Sequence, residues 1–263
     1  MTRARRHCRA TAVALAASLI AASAVAQIVP SQRRSGYADL TPETKAMQDD
    51  DTANPAMLSV LDGAALWTAK AGSAQRACAD CHGRAEESMK GVAARYPAYD
   101  AARDRPVDLE QRINICRAQH QNASPFKPES KDLLALAAYI GLQSRGMPIA
   151  AGADERLKPF IAAGEKLFTE RQGQLNLSCA QCHDERWGRH LGSSLIPQAQ
   201  PTGYPIYRLE WQSVGSLQRR LRNCMSGMRA QAFDYGALEN VELELFLMVR
   251  ARGMPLETPA VRP

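Results

Sequence analysis

Cys179-Ala180-Gln181-Cys182-His183 decides the fold of this chain, together with Cys78-Ala79-Asp80-Cys81-His82, which states the same pattern 101 residues earlier. Two thiols spaced to meet the two vinyl groups of a haem, followed at once by a histidine placed to ligate its iron, form the c-type haem attachment signature. The matching extends outward from the motifs. Gly63-Ala64-Ala65-Leu66-Trp67-Thr68 answers to Gly164-Glu165-Lys166-Leu167-Phe168-Thr169 at the same offset. Arg112-Ile113-Asn114-Ile115-Cys116 answers to Arg220-Leu221-Arg222-Asn223-Cys224 at 108, and Arg145-Gly146-Met147-Pro148 to Arg252-Gly253-Met254-Pro255 at 107. Four landmarks in one order imply two tandem copies of a domain, joined near Ile149 to Lys158. The change of offset puts a longer loop in the second copy, between the haem motif and Cys224.

Each copy reads as helical. Val214, Leu217, Leu221 and Cys224 are spaced i, i+3, i+7, i+10, and Leu109, Ile113 and Cys116 run i, i+4, i+7, so both cysteines fall on the apolar stripe of a short helix. A longer helix follows in each half, over Lys131 to Ser144 with Ser130 as its cap, and over Ala237 to Ala251. Arg-Gly-Met-Pro stops each one, with glycine just past the end and proline beyond. The expected fold is mainly α: two tandem cytochrome c-like domains, 63–150 and 151–263, preceded by an extended arm. In small monohaem cytochrome c domains, which this order of elements resembles, the residue shortly before the terminal helix usually gives a methionine to the iron. Cys116 and Cys224 stand in that slot.

Outside the repeats, Arg3, Arg5, Arg6 and Arg9, an apolar run from Ala10 to Val25 and Ala24-Val25-Ala26 read as a signal peptide over 1–26, with the mature chain from Gln27. Removing its four arginines takes the net charge from +6 to +2, and removing Cys8 takes seven cysteines to six. A nucleic-acid partner is therefore not expected. With no second long apolar stretch, the product is expected to be periplasmic, with no membrane insertion after leader removal. Residues 27–62 are polar, carry Asp49-Asp50-Asp51 and Pro30, Pro42 and Pro55, and show no convincing helical period. They read as an extended arm lying on the body, with a disordered tail as the alternative.

Two covalently bound c-type haems are expected, attached through Cys78 and Cys81 and through Cys179 and Cys182, with His82 and His183 on the irons. A four-cysteine zinc site is the rival, opposed by the spacing and the immediate histidines. For Cys116 and Cys224 the alternatives to thiolate ligation are a buried core thiol and a mutual disulfide. Met147, Met254, Met225 and Met228 are competing ligands. Charge separates the copies. From Trp211 to Phe233 there is no acidic residue, while Arg219, Arg220, Arg222 and Arg229 fall inside; around Cys116, Asp108 and Glu110 balance Arg112 and Arg117. Arg220 and Cys224, at i and i+4, share a helix face. The pattern suggests a small-anion site at Cys224, against the reading that these arginines decorate a solvent face.

The twin Cys-x-x-Cys-His motifs, the Arg-Arg-Leu-Arg-Asn-Cys-Met run at 219–225 and the arm residues Leu40-Thr41-Pro42-Glu43-Thr44 and Met47-Gln48-Asp49-Asp50-Asp51-Thr52-Ala53-Asn54-Pro55 together resemble the SoxA family of dihaem cytochromes. The resemblance covers essentially the whole mature chain. It implies an enzyme that joins thiosulfate oxidatively to a cysteine of a carrier protein, SoxY of SoxYZ, beside a SoxX-type monohaem cytochrome c in a heterodimer. It also implies that Cys224 is the catalytic cysteine, found as a persulfide on the second haem, that Arg220 contacts substrate, and that Cys116 is the axial ligand of the first haem. Two other functions are compatible with the residues: a thiosulfate dehydrogenase forming tetrathionate, and a low-potential electron carrier without catalysis.

Overall fold

The computed structural model describes residues 28–263, so the leader expected over 1–26 lies outside the described residues. In chain order the helices are α1 (Pro42–Asp49), α2 (Ala56–Thr68), α3 (Ala79–His82), α4 (Ala85–Ser88), α5 (Leu109–Cys116), α6 (Lys131–Leu142), α7 (Lys158–Thr169), α8 (Cys179–His183), α9 (Leu217–Gly227) and α10 (Leu238–Arg250). Short strands lie between them: β1 (Ala98–Asp100), β2 (Arg105–Val107), β3 (His190–Leu191), β4 (Ser194–Leu195), β5 (Ile206–Arg208), β6 (Ser213–Gly215) and β7 (Ala260–Arg262).

Each half is built on a crossing of its first and last long helices, α2 on α6 and α7 on α10. A glycine makes each crossing possible. A Cβ on Gly63 would stand 2.1 Å from the Ala135 carbonyl oxygen, and one on Gly164 would stand 2.1 Å from that of Glu242. Four residues after each glycine a buried aromatic fills the space beneath: Trp67 edge-on to Tyr139 at 6.0 Å between ring centroids, and Phe168 against Phe246 at 5.4 Å. These side chains anchor the two apolar cores.

In each half a β-hairpin then delivers a short capped helix. The hairpins share one register, Ala98 opposite Val107 and Ile206 opposite Gly215. Asp108 caps α5 through a full capping box with Gln111, and the Ser216 side chain accepts the Arg219 N–H at the start of α9. Val214 belongs to β6 and not to the helix, so the helical period read from 214 starts one turn too early. Ser130 occupies the cap position of α6, but its hydroxyl makes no capping bond. The longer loop expected in the second half is the β3–β4 hairpin.

The two Arg-Gly-Met-Pro segments pair with each other about a local two-fold. The Gly146 N–H donates to the Leu256 carbonyl (2.8 Å) and that of Gly253 to Ile149 (2.9 Å); the Leu256 N–H donates to Met147 and that of Ile149 to Met254, both at 2.9 Å. Gly146 and Gly253 take φ of +79° and +84°, the left-handed turn that stops each helix.

The arm lies on the body but is not extended throughout. Thr41 caps α1, Pro42 takes its first position, and α2 already begins at Ala56, inside the stretch read as arm. The short length of α1, two turns, explains why no period was visible. Gln48 accepts the Val261 N–H (3.0 Å), and the Asn54 side-chain amide donates to the Pro259 carbonyl (2.9 Å), so the arm clamps β7, which pairs parallel to β5.

Between the halves, buried Asp108 and half-buried Glu110 from the first and half-buried Glu244 from the second line a small cavity, with Gln218 donating to Asp108 (2.7 Å). Burial, the first cause in each case, pushes Asp108 up to about 6 and holds Glu110 and Glu244 well above the ordinary carboxylate range. Raised carboxyls bind more protons in the folded than in the unfolded chain. Their contribution to stability is therefore full below the unfolded value near 4 and is lost as pH rises through 6 and beyond. Chemical denaturation should show this fall between pH 4.5 and 7.5, and Glu244→Gln should flatten it; an unchanged slope in the variant would remove Glu244 as a source.

Candidate haem and thiol site

Ser178 and Gln181 form a capping box that starts α8, so one helical turn carries Cys179, Cys182 and His183. His183 Nδ1 lies 2.7 Å from the Pro197 carbonyl oxygen. As that oxygen can only accept, Nδ1 carries the proton and Nε2 keeps its lone pair. Burial first, then the charges of Arg220 and Arg250, hold the imidazole below its usual pKa against the opposing pull of the Pro197 bond and Asp184, favouring the neutral ring a metal requires. Arg250 is fixed by Asp184 at 2.6 Å and lies over the Phe168 ring.

His183 opens on a cavity of about 600 Å³ whose wall also includes Arg220, Leu221 and Cys224, a size typical of ligand and cofactor sites. The expected face of α9 is thus formed: Arg220 and Cys224 look into one space. Burial pushes the Cys179 thiol up to about 12, and the next cause is the charge of Cys224, which brings those two sulfurs into one neighbourhood.

The arginine cluster itself disperses. Arg219 stacks on Trp211 and approaches Glu129 at 4.0 Å; Arg222 donates to the Phe233 carbonyl and stacks on Tyr235; neither these nor Arg229 lines the cavity. Arg220 remains, and among the described residues it has no ion pair. Arg208, Arg262 and Tyr204 complete the polar wall and were not singled out by sequence. Arg262 is engaged by Glu257 and Gln48. The arm contributes Gly36, Asp39 and Leu40.

In the first half, α3 carries Cys78, Cys81 and His82, and α5 ends on Cys116. Gln121 donates to Cys78 Sγ (3.8 Å), and Trp67 stands 5.8 Å from the His82 ring. Burial raises both Cys78 and Cys116; the Cys116 charge adds to the first and that of Cys81 to the second, so these thiols share one region. Arg112, four residues before Cys116, is held by Asp100 at 2.7 Å.

None of the six described cysteines is in a disulfide, including Cys116 and Cys224. Among the described residues no three His, Cys, Asp or Glu side chains converge as a metal cluster. In the second half, Met225, Met228 and Met254 are absent from the cavity wall. Two cysteines on one helical turn, an adjacent neutral histidine and an apolar cavity with a thiol on its wall fit a haem bonded through thioethers. Among the described residues no helix is long and apolar enough to cross a membrane.

Residues 62–149 and 163–256 both match the family described as SoxA/TsdA, cytochrome c domain. The chain is 38% identical over 229 residues to the L-cysteine S-thiosulfotransferase subunit SoxA of Pseudaminobacter salicylatoxidans, covering 87% of this chain and 80% of the relative. It is 34% identical over the same length to that of Rhodovulum sulfidophilum. The crystal structure of SoxXA from P. pantotrophus superposes with a TM-score of 0.84 at 31% identity, covering 87% of this chain and 86% of that one. The architecture is thus two tandem cytochrome c-like domains behind an N-terminal arm, a fold whose cofactor is covalently bound c-type haem.

Proposed function

Because this chain belongs to the SoxA/TsdA cytochrome c domain family, we propose that it is the catalytic subunit of an L-cysteine S-thiosulfotransferase. It joins thiosulfate to a cysteine of a carrier protein of the SoxYZ type: one S–S bond forms between the carrier sulfur and the outer sulfur of thiosulfate, and one proton and two electrons leave. The observation that carries this reading is the shared cavity of Cys224, Arg220 and His183.

Cys78 and Cys81 would hold one haem beside His82 and Cys116, and Cys179 and Cys182 the other beside His183 and Cys224. When bound, the haem supplies a one-electron acceptor next to the thiol. Cys224 offers a soft sulfur nucleophile, and Arg220 receives the sulfonate oxygens through paired charge-assisted hydrogen bonds. His183, its Nδ1 proton fixed on Pro197, keeps one orientation throughout. A smaller monohaem cytochrome of the SoxX type is the proposed partner, and export through residues 1–26 would place the pair in the periplasm.

The family description also covers TsdA, which favours a second reading, a thiosulfate dehydrogenase that couples two thiosulfates to tetrathionate. Incubating the haem-loaded heterodimer with thiosulfate, with and without the carrier, separates them. The expected result is a carrier whose intact mass rises by one thiosulfonate group; tetrathionate with an unmodified carrier would overturn the first reading. Arg220→Gln at full haem content should lower kcat/KM on the order of 10- to 100-fold.

A further inference from the structure

The two halves carry opposite charges at one equivalent hairpin position. Asp100 ends β1 opposite Arg105, and Arg208 ends β5 opposite Ser213, the same place in two hairpins of matching register. Arg112 and Arg220 are likewise equivalent, each four residues before a distal cysteine. In the first half Asp100, 5% exposed, takes the Arg112 guanidinium at 2.7 Å. In the second half a cation replaces that carboxylate.

The replacement puts Arg208 on one cavity wall with Arg220 and Cys224, where the third guanidinium, that of Arg262, is already engaged by Glu257 and Gln48. Asp39, the acidic side chain on that wall, is taken by Arg34 at 2.6 Å. Arg208 reaches Glu210 at 2.7 Å, but Glu210 is 63% exposed and its attraction is screened by water. The Nε–H of Arg208 is buried without an acceptor. A buried donor lacking a partner, beside a second cation, is an arrangement that an oxyanion would satisfy. Burial and then the Arg220 charge lower the Arg208 pKa, as expected for two cations held close together.

We propose that Arg208 and Arg220 jointly bind the sulfonate end of thiosulfate, the exchange of Asp100 for Arg208 between the repeats having turned an internal ion pair into an oxyanion site beside Cys224. This rests on the thiosulfotransferase reading and adds Arg208 to it as a substrate-binding residue. The carboxylates of a bound haem are the other oxyanions of the same chemistry, and the experiment separates the two.

Thiosulfate binding to the haem-loaded heterodimer, without carrier, is measured by calorimetry alongside the absorption spectrum and midpoint potential. Arg208→Gln should weaken Kd on the order of 10- to 100-fold with spectrum and potential unchanged, and should raise KM more than it lowers kcat. Arg208→Asp, which restores the first-half pairing, should weaken binding at least as much. An unchanged Kd with a shifted potential would assign Arg208 to the haem carboxylates, and an unchanged Kd and potential would leave it to Glu210; either overturns the proposal. If the Gln variant loses haem, Arg208→Lys carries the test: loss of the planar fork should still weaken Kd several-fold, and wild-type affinity would overturn the proposal. Failure of wild type to bind thiosulfate would instead overturn the functional reading itself, whereas loss of binding in Arg220→Gln alone would overturn only the role of Arg208.

Discussion

Cys224→Ser should lower conjugation of thiosulfate to the carrier by at least about a thousandfold, the scale on which removal of a nucleophile is felt. The residue is half-buried on α9, one turn from Arg220 and within the electrostatic reach of Cys179. Serine is close in size and leaves the packing of Leu221 and Met225, both buried, undisturbed. What it removes is a polarisable sulfur that is nucleophilic near neutral pH, since a hydroxyl there is neither soft nor readily ionised. Haem attachment through Cys179 and Cys182 should persist, so haem content controls for folding while the absorption spectrum reports the change of side chain. Product analysis on haem-matched protein is the measurement. Turnover like that of the wild type would take Cys224 out of the chemistry.

The second large effect is on stability. Gly164→Ala puts a methyl group 2.1 Å from the Glu242 carbonyl oxygen, and Gly63→Ala does the same against Ala135. Both neighbours are main-chain atoms of a long helix and cannot yield without moving that helix. Overpacking of this kind costs about 1–3 kcal/mol, occasionally more, and each kcal/mol lowers Tm by roughly 2–4 °C in a chain of this size. Moving α10 would also displace Leu247 and Arg250, the latter holding Asp184. Gly164→Ala should therefore disturb the second haem site and Gly63→Ala the first, as read from the spectrum of each. Gly227→Ala is the control, because a Cβ there meets nothing; its Tm should stay within a few degrees of wild type. Thermal unfolding of the three variants decides the matter, and three equal Tm values would refute the tight crossing.

Much of this was legible in the chain. The paired motifs, the glycine–aromatic spacing of Gly63 with Trp67 and Gly164 with Phe168, and the Arg-Gly-Met-Pro stops are local patterns, and a repeat doubles every local signal. The arm was harder to read because α1 has only eight residues, too few to display a period. Val214, a strand residue next to a cap, falls by chance on the helical phase. The partners of the other arginines are hidden from the sequence for a different reason. Absence of nearby acids in sequence says nothing about acids, aromatics or carbonyls delivered by other segments, and Glu129, Trp211, Tyr235 and the Phe233 carbonyl absorb Arg219 and Arg222.

By itself, then, the sequence determined two helical haem-binding units with a cysteine in each distal slot, since thiols and histidine on one turn of backbone need no distant partner to define their chemistry. Only the tertiary structure decided which cations face Cys224. Arg208 reaches that cavity from a hairpin, and the wall is closed by the arm and β7, which meet through Gln48 and Val261 across 213 residues of chain. Electrostatic neighbourhoods are set by distance in space, and folding, not chain order, fixes those distances.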